Sequence, residues 1–165
     1  MMVLPRNLQE KLDKLITLIN GKKVITAYSG GLDSSLLAFL AQLHAQKALA
    51  ILIENSLTPE TEIIHAKRFA KDYSLSLKIV NLNILDNKNF SQNLRDRCYI
   101  CKKAIFEKII EIKEDLKYDL IIEGSNLDDL DDFRPGMNAL KELGIKSLYI
   151  KADISKKEIR MLSNH

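Results

Sequence analysis

The chain opens on an apolar stripe of helical period. Leu8, Leu12, Leu15, Ile16 and Ile19 share one face of a helix that Asn7 would cap and Gly21 would end. The period then changes. Lys23–Tyr28 is a short β-branched run that predicts a buried strand. A Ser-Gly-Gly turn follows, and an apolar helix is expected over residues 33–46. Residues 48–54 predict a second strand, and Thr58 with Pro59 supplies an N-cap and an N1 proline for a helix to about residue 73. The alternation continues with a strand over 77–82 and a helix over 98–117 that carries Ile105, Ile109, Ile112 and Leu116 on one side. A strand over 119–123, a helix near 135–143 and a strand near 147–151 come next. Ser155 and Glu158 form a capping box that opens a last helix.

Strands separated by helices imply parallel pairing through right-handed crossovers. The expected fold is therefore α/β: a single open doubly wound parallel sheet with helices on both faces. Ligands of such sheets bind beyond the carboxyl ends of the strands.

Composition removes classes without suggesting an activity. Hydrophobic residues at 46% and charged residues at 28% match soluble globular domains, which excludes a disordered chain. With only 3 prolines and 6 glycines there is little material for linkers, so the 165 residues read as one domain, 1–165. Lys+Arg exceeds Asp+Glu by 25 to 22, and that +3 is too small to argue for nucleic acid or a membrane surface. Two cysteines cannot build a disulfide scaffold, the opening residues are not a signal sequence, and no apolar run approaches the ~20 residues of a spanning helix. The expected location is the cytoplasm, and a homo-oligomer is left open.

Three segments carry chemistry. The first is Ser29-Gly30-Gly31-Leu32-Asp33-Ser34-Ser35. Two glycines after a buried strand permit close backbone approach, and the next helix aims its free N–H groups at the turn, which makes an anion nest suited to phosphate. Asp33 would repel a bare phosphate, but a Mg²⁺ ion bridging it to phosphate oxygens resolves the conflict. No Gly-Lys-Ser/Thr follows, so this is not a Walker A loop. A plain strand–helix turn accounts for the glycines and one polar residue, but not for the whole set.

The second segment sets Cys98 and Cys101 among Arg95, Arg97, Lys102 and Lys103. A helix start and these cations would lower a thiol pKa. One C-x-x-C is also half of a zinc site, and buried cysteines also pack as small hydrophobes; the basic residues suit a substrate phosphate or carboxylate. In the third segment, Gly124 and Asn126 lead into Asp128, Asp129, Asp131, Asp132 and Arg134. A solvated acidic loop is one reading. Crowded carboxylates that hold a cation or meet Arg134 at the strand's carboxyl end are the other.

The first segment resembles the S-G-G-x-D-S loop of the PP-loop ATP pyrophosphatases, Rossmann-like domains of the adenine nucleotide alpha hydrolase type that cleave ATP between its α and β phosphates. The R-C-Y-x-C-K run at 97–102 and the G-x-N-x-D-D-x-x-D-x-R-P-G run at 124–136, continued by Ala139, Glu142, Gly144 and Ile145, are similar to the LarE-type branch. Those are ATP-dependent sacrificial sulfur transferases of nickel-pincer cofactor synthesis. The likeness runs from about Leu8 to Met161. It implies ATP and Mg²⁺ as cofactors and adenylation of a small-molecule carboxylate, a pyridinium dicarboxylate mononucleotide. Ser29, Gly30, Gly31, Asp33, Ser34, Ser35, Gly124 and Asn126 would hold the nucleotide. Asp33 with Asp128 or Asp129 would ligate the metal, and Arg97, Lys102 and Arg134 would meet substrate or phosphate charge. The family's sulfur-supplying cysteine lies in a C-terminal region beyond the segment matching 155–165, so the expectation is an ATP-binding part whose sulfur comes from elsewhere, such as a donor protein. Transfer RNA thiolation, an amide-forming ligase and a non-catalytic ATP-binding module are the alternatives.

Overall fold

The computed structural model describes residues 4–55, 58–83, 97–131 and 135–165. In chain order the elements are α1 (Arg6–Ile19), β1 (Lys23–Tyr28), α2 (Leu32–His44), β2 (Lys47–Glu54), α3 (Glu60–Asp72) and β3 (Leu77–Asn81). Then come α4 (Arg97–Asp115), β4 (Leu120–Glu123), a 3₁₀ turn (Leu127–Leu130), α5 (Pro135–Glu142), β5 (Lys146–Ser147), α6 (Leu148–Lys151) and α7 (Lys156–Ser163). The strands form one sheet in the order β3-β2-β1-β4-β5, and each neighbouring pair is parallel.

Strand alternation sorts the core. Val24, Ile122, Ala50 and Leu52 face α1, α2, α3, α6 and α7. Ile25, Ile51, Ile53 and Ile121 face α4 and α5. Side chains of successive strand residues point to opposite faces, so both faces of the inner strands must be apolar. The sheet is thus open, parallel and doubly wound, as the alternating pattern requires.

Strand order reverses between β1 and β4: the chain leaves β1 toward β2 on one side and returns to β4 on the other. The loops after those two strands leave the sheet at this switch point, where a crevice opens.

Three local expectations are corrected. Pro5, not Asn7, is the N-cap of α1, and no side chain caps that end. Pro59 is the N-cap of α3 rather than its first helical residue, so Thr58 does not cap it. Residues 147–151 are not a strand. Only Lys146 and Ser147 pair with β4, and the chain then turns into α6. Leu148 and Tyr149 both enter the cluster packed on α1 and α2, which adjacent strand residues cannot do. Gly21 does end α1, with φ +71° just past the cap.

The capping box of α7 is formed as expected, with reciprocal bonds between Ser155 and Glu158. Glu158 also takes Lys11 Nζ of α1 at 2.7 Å, tying the first helix to the last. Burial pushes the Glu158 carboxyl up, but the Lys11 ammonium and the Ser155 N–H and hydroxyl outweigh it and hold the group below its ordinary range. A depressed folded value contributes stability above the unfolded value that is lost as pH falls through the folded one. The chain should therefore lose thermal stability on acidification below about pH 4.5. Glu158→Gln should flatten that part of the melting-temperature profile; an unchanged profile would remove Glu158 as a source.

Candidate functional site

The loop after β1 is tied by its own hydroxyls. Ser29 N donates to Ser34 Oγ at 3.2 Å, and Ser34 Oγ donates to the Gly31 carbonyl at 3.1 Å. Ser29 Oγ lies 3.0 Å from Ser34 Oγ. Gly31 is the N-cap of α2, and it offers no side chain to satisfy the helix's first N–H groups. These amides remain a ready-made anion site. Ser35 is buried among core side chains, with its hydroxyl beside the Tyr28 phenol.

Gly30 has φ +82°, and a Cβ there would lie 2.6 Å from Ala66 Cβ of α3. The loop is thus pressed onto α3, which Tyr28 Oη holds by donating to the Ala66 carbonyl at 2.8 Å.

Asp33 sits in the first turn of α2 and is gripped from three later elements. Asn126 Nδ2 donates to Asp33 Oδ2 at 3.1 Å, and Lys156 Nζ of α7 pairs with Asp33 Oδ1. Tyr149 Oη of α6 donates to the Asp33 carbonyl at 2.9 Å. Burial, and then the charge of Asp33, push the Tyr149 phenol well above its ordinary value, so it stays a proton donor.

The loop after β4 comes in against the same turn. A Cβ on Gly124 would lie 3.1 Å from Ser34 N and 3.3 Å from Asp33 Cβ, so only a small residue fits. Asn126 caps the 3₁₀ turn and Asp129 returns the bond by accepting from Asn126 N at 2.9 Å. Asp128 accepts from Lys156 N at 2.6 Å. The acidic run is thus a folded cap between β4 and α7 as far as Asp131. Below it, Glu123 is buried and accepts from Ser125 Oγ at 2.7 Å and from Ser147 Oγ.

These groups surround a cavity of about 480 Å³ at the carboxyl ends of β1, β2 and β4. Ser29, Gly31, Asp33, Ser34, Gly124, Asp129, Lys102 and Lys156 line its polar side. Ile51, Ile53, Ile105, Phe106 and Ile109 line the apolar side. The cavity has the size and mixed lining of a small-molecule site. Asp128 is not part of that wall. Among the described residues no three His, Cys, Asp or Glu side chains converge as a metal cage. Asp33 and Asp129 on one wall still suit Mg²⁺, which takes one or two carboxylates plus substrate phosphates and water.

Lys102 reaches the cavity with its stem packed on Gly136, where a Cβ would come 2.7 Å from Cδ. Arg97 is exposed at the start of α4. Cys98 is exposed and Cys101 half-buried in the same turn. The expected lowering of thiol pKa is corrected for Cys101. Burial, reinforced by Cys98, pushes its thiol up, and Lys102 offsets only part. Arg95, Asp132 and Arg134 lie outside the described residues. Lys156, Tyr149, Ala66 and Glu123 were missed by the sequence reading. Only Lys156 had a signal, since the capping box puts it in the first turn of α7.

A doubly wound parallel sheet with a Ser-Gly-Gly-Leu-Asp-Ser loop at its switch point defines a PP-loop ATP pyrophosphatase domain. Residues 4–109 match the model of the NAD synthase family, and the chain belongs to that family. It is 37% identical over 156 residues to an uncharacterized protein of Methanocaldococcus jannaschii, covering 94% of this chain and 57% of that one. It is 27% identical over 144 residues to the pyridinium-3,5-bisthiocarboxylic acid mononucleotide synthase of Lactiplantibacillus plantarum, covering 86% of this chain and 52% of that one. The chain thus spans about half the length of the curated relatives it matches. The NH3-dependent NAD synthetase of Campylobacter jejuni superposes with a TM-score of 0.62 at 17% identity, over 99% of this chain and 93% of that one, which shows a shared fold. Among the described residues no helix is long and apolar enough to cross a membrane.

Proposed function

We propose that the chain binds ATP and adenylates a small-molecule carboxylate, releasing pyrophosphate. The observation that carries this reading is the meeting of the serine–glycine loop, Asp33 and Gly124 around the switch-point cavity, with Asn126 bonded to Asp33. In this reading the amides of the α2 start, with Ser29 and Ser34, cradle the β and γ phosphates. The apolar wall of Ile51, Ile53 and Phe106 takes the base. Asp33, with Asp129 as the second carboxylate on that wall, would hold Mg²⁺, whose charge would offset that developing on the departing pyrophosphate. Lys102 would meet the negative charge of phosphate or substrate, with Arg97 and Arg134 as further cations. A carboxylate oxygen attacks the α phosphorus, the α–β bond breaks, and the acyl-adenylate and pyrophosphate remain.

The Lactiplantibacillus relative directs the substrate toward a pyridinium dicarboxylate mononucleotide, with sulfur supplied from another region or a donor protein. A second reading, amide formation by ammonia attack on the same adenylate, is supported by the match to the NAD synthase family. The test is pyrophosphate release with ATP and Mg²⁺, comparing the pyridinium dicarboxylate mononucleotide with a pyridine monocarboxylate nucleotide plus ammonia. Release with the first supports the sulfur-transferase substrate, and amide product with the second supports the ligase. ATP binding without pyrophosphate from either leaves a non-catalytic binding module.

A further inference from the structure

We propose that Lys156 is a displaceable counter-ion that makes divalent-cation binding at Asp33 conditional on a triphosphate. The proposal rests on the ATP reading above. Both Asp33 oxygens are engaged, Oδ1 by the Lys156 ammonium and Oδ2 by the Asn126 amide. A divalent cation needs direct contact with a carboxylate oxygen. A carboxylate has about four lone-pair positions, so Oδ2 keeps one free beside the Asn126 bond, but a cation on either oxygen stands close to the ammonium and is repelled by it. A cation arriving alone must therefore bind against that repulsion or displace Lys156 toward water and forfeit its charge-assisted bond.

A triphosphate changes that balance. Lys156 lines the same cavity as Ser29, Gly31 and Ser34, so phosphate oxygens placed there give the ammonium a new partner as it leaves Asp33. The construction of α7 suits such an exchange. The Lys156 backbone is fixed by its N–H bond to Asp128 at 2.6 Å and by the Ser155–Glu158 capping box. Its side chain is 37% exposed and rides on a flexible stem, whereas that of Asp33 is only 19% exposed. The anchor stays while the ammonium moves. By linkage, nucleotide should then raise cation affinity by the same factor as cation raises nucleotide affinity.

The probe is Mn²⁺, titrated into the full chain by electron paramagnetic resonance with and without α,β-methylene ATP. Without nucleotide, Lys156→Met should bind Mn²⁺ about tenfold more tightly than the native chain, corresponding to one charge-assisted contact. Lys156→Gln should do the same, which covers a failure of the first variant to fold. Lys156→Arg should keep the weak native affinity, and Asp33→Asn combined with Lys156→Met should abolish the gain. The stimulation of Mn²⁺ binding by the nucleotide should shrink in Lys156→Met. Unchanged or weaker Mn²⁺ binding in both neutral variants, or a gain that survives Asp33→Asn, would overturn the counter-ion role. Failure of the native chain to bind α,β-methylene ATP is a separate result that would overturn the reading of the site itself.

Discussion

Asp33→Ala should lower pyrophosphate formation by at least about a hundredfold, the scale on which removal of one preorganised electrostatic group slows a reaction. The same substitution should leave the fold standing. Asp33 favours the α2 start through the helix dipole, an effect of about 0.3–1 kcal/mol, and its contacts to Asn126 and Lys156 are at the edge of a cavity rather than in the core. A fall in melting temperature of only a few degrees is therefore expected. Nucleotide affinity separates the roles. If Asp33 acts through a metal, ATP affinity measured with EDTA should hold or rise, because a carboxylate beside the phosphates has gone. Affinity measured with Mg²⁺ should fall. Equal Mg²⁺ dependence in Asp33→Ala and the native chain would withdraw the metal assignment.

The sheet was readable because each element carries its own period. β1 is continuous and β-branched, since helices cover both of its faces, and its ends match the expectation. The expected strand at 147–151 failed for a physical reason. Tyr149 and Ile150 have strand-like propensity, but burial of both Leu148 and Tyr149 on one side demands a helical turn. Propensity lost to tertiary packing. The capping box at Ser155 held because both of its partners lie within one turn.

The site divides along the same line. The serine–glycine loop and the Gly124 segment were legible, because each follows a strand and parallel topology sends both to one end of the sheet. Their contact, Asn126 on Asp33, spans 93 residues. The grips of Tyr149 and Lys156 on Asp33 span 116 and 123 residues; the capping box places Lys156 at a helix start, but nothing local pairs either residue with Asp33. Tyr149 looks like an ordinary core aromatic in sequence. Its hydroxyl gains a role only because α6 turns it toward α2. Cys101 went the other way. Its cationic neighbours suggested an activated thiol, yet burial outweighs Lys102.

Gly30→Ala should be the most damaging single methyl in the loop, costing about 2–5 kcal/mol. Two terms add. A left-handed φ of +82° costs an alanine about 1–2 kcal/mol. The new Cβ would also stand 2.6 Å from Ala66 Cβ and 3.0 Å from Ala66 Cα, and overpacking of this kind costs about 1–3 kcal/mol. Ala66 cannot yield easily, because it is fully buried and its carbonyl is held by Tyr28. If the loop moves instead, the Ser29–Ser34 bonds break and nucleotide affinity goes with them. Two other glycines separate the terms. Gly21 has φ +71° with nothing near its Cβ position, so Gly21→Ala should show the backbone cost alone. Gly31 has φ −70° and an ordinary 3.5 Å neighbour, so Gly31→Ala should be mild. Ala66→Gly should relieve part of the Gly30→Ala defect, leaving the double variant less destabilised than the sum of the two. Strict additivity in urea unfolding would mean that α3 does not support the loop, and the close packing of Gly30 on Ala66 would then have no energetic weight.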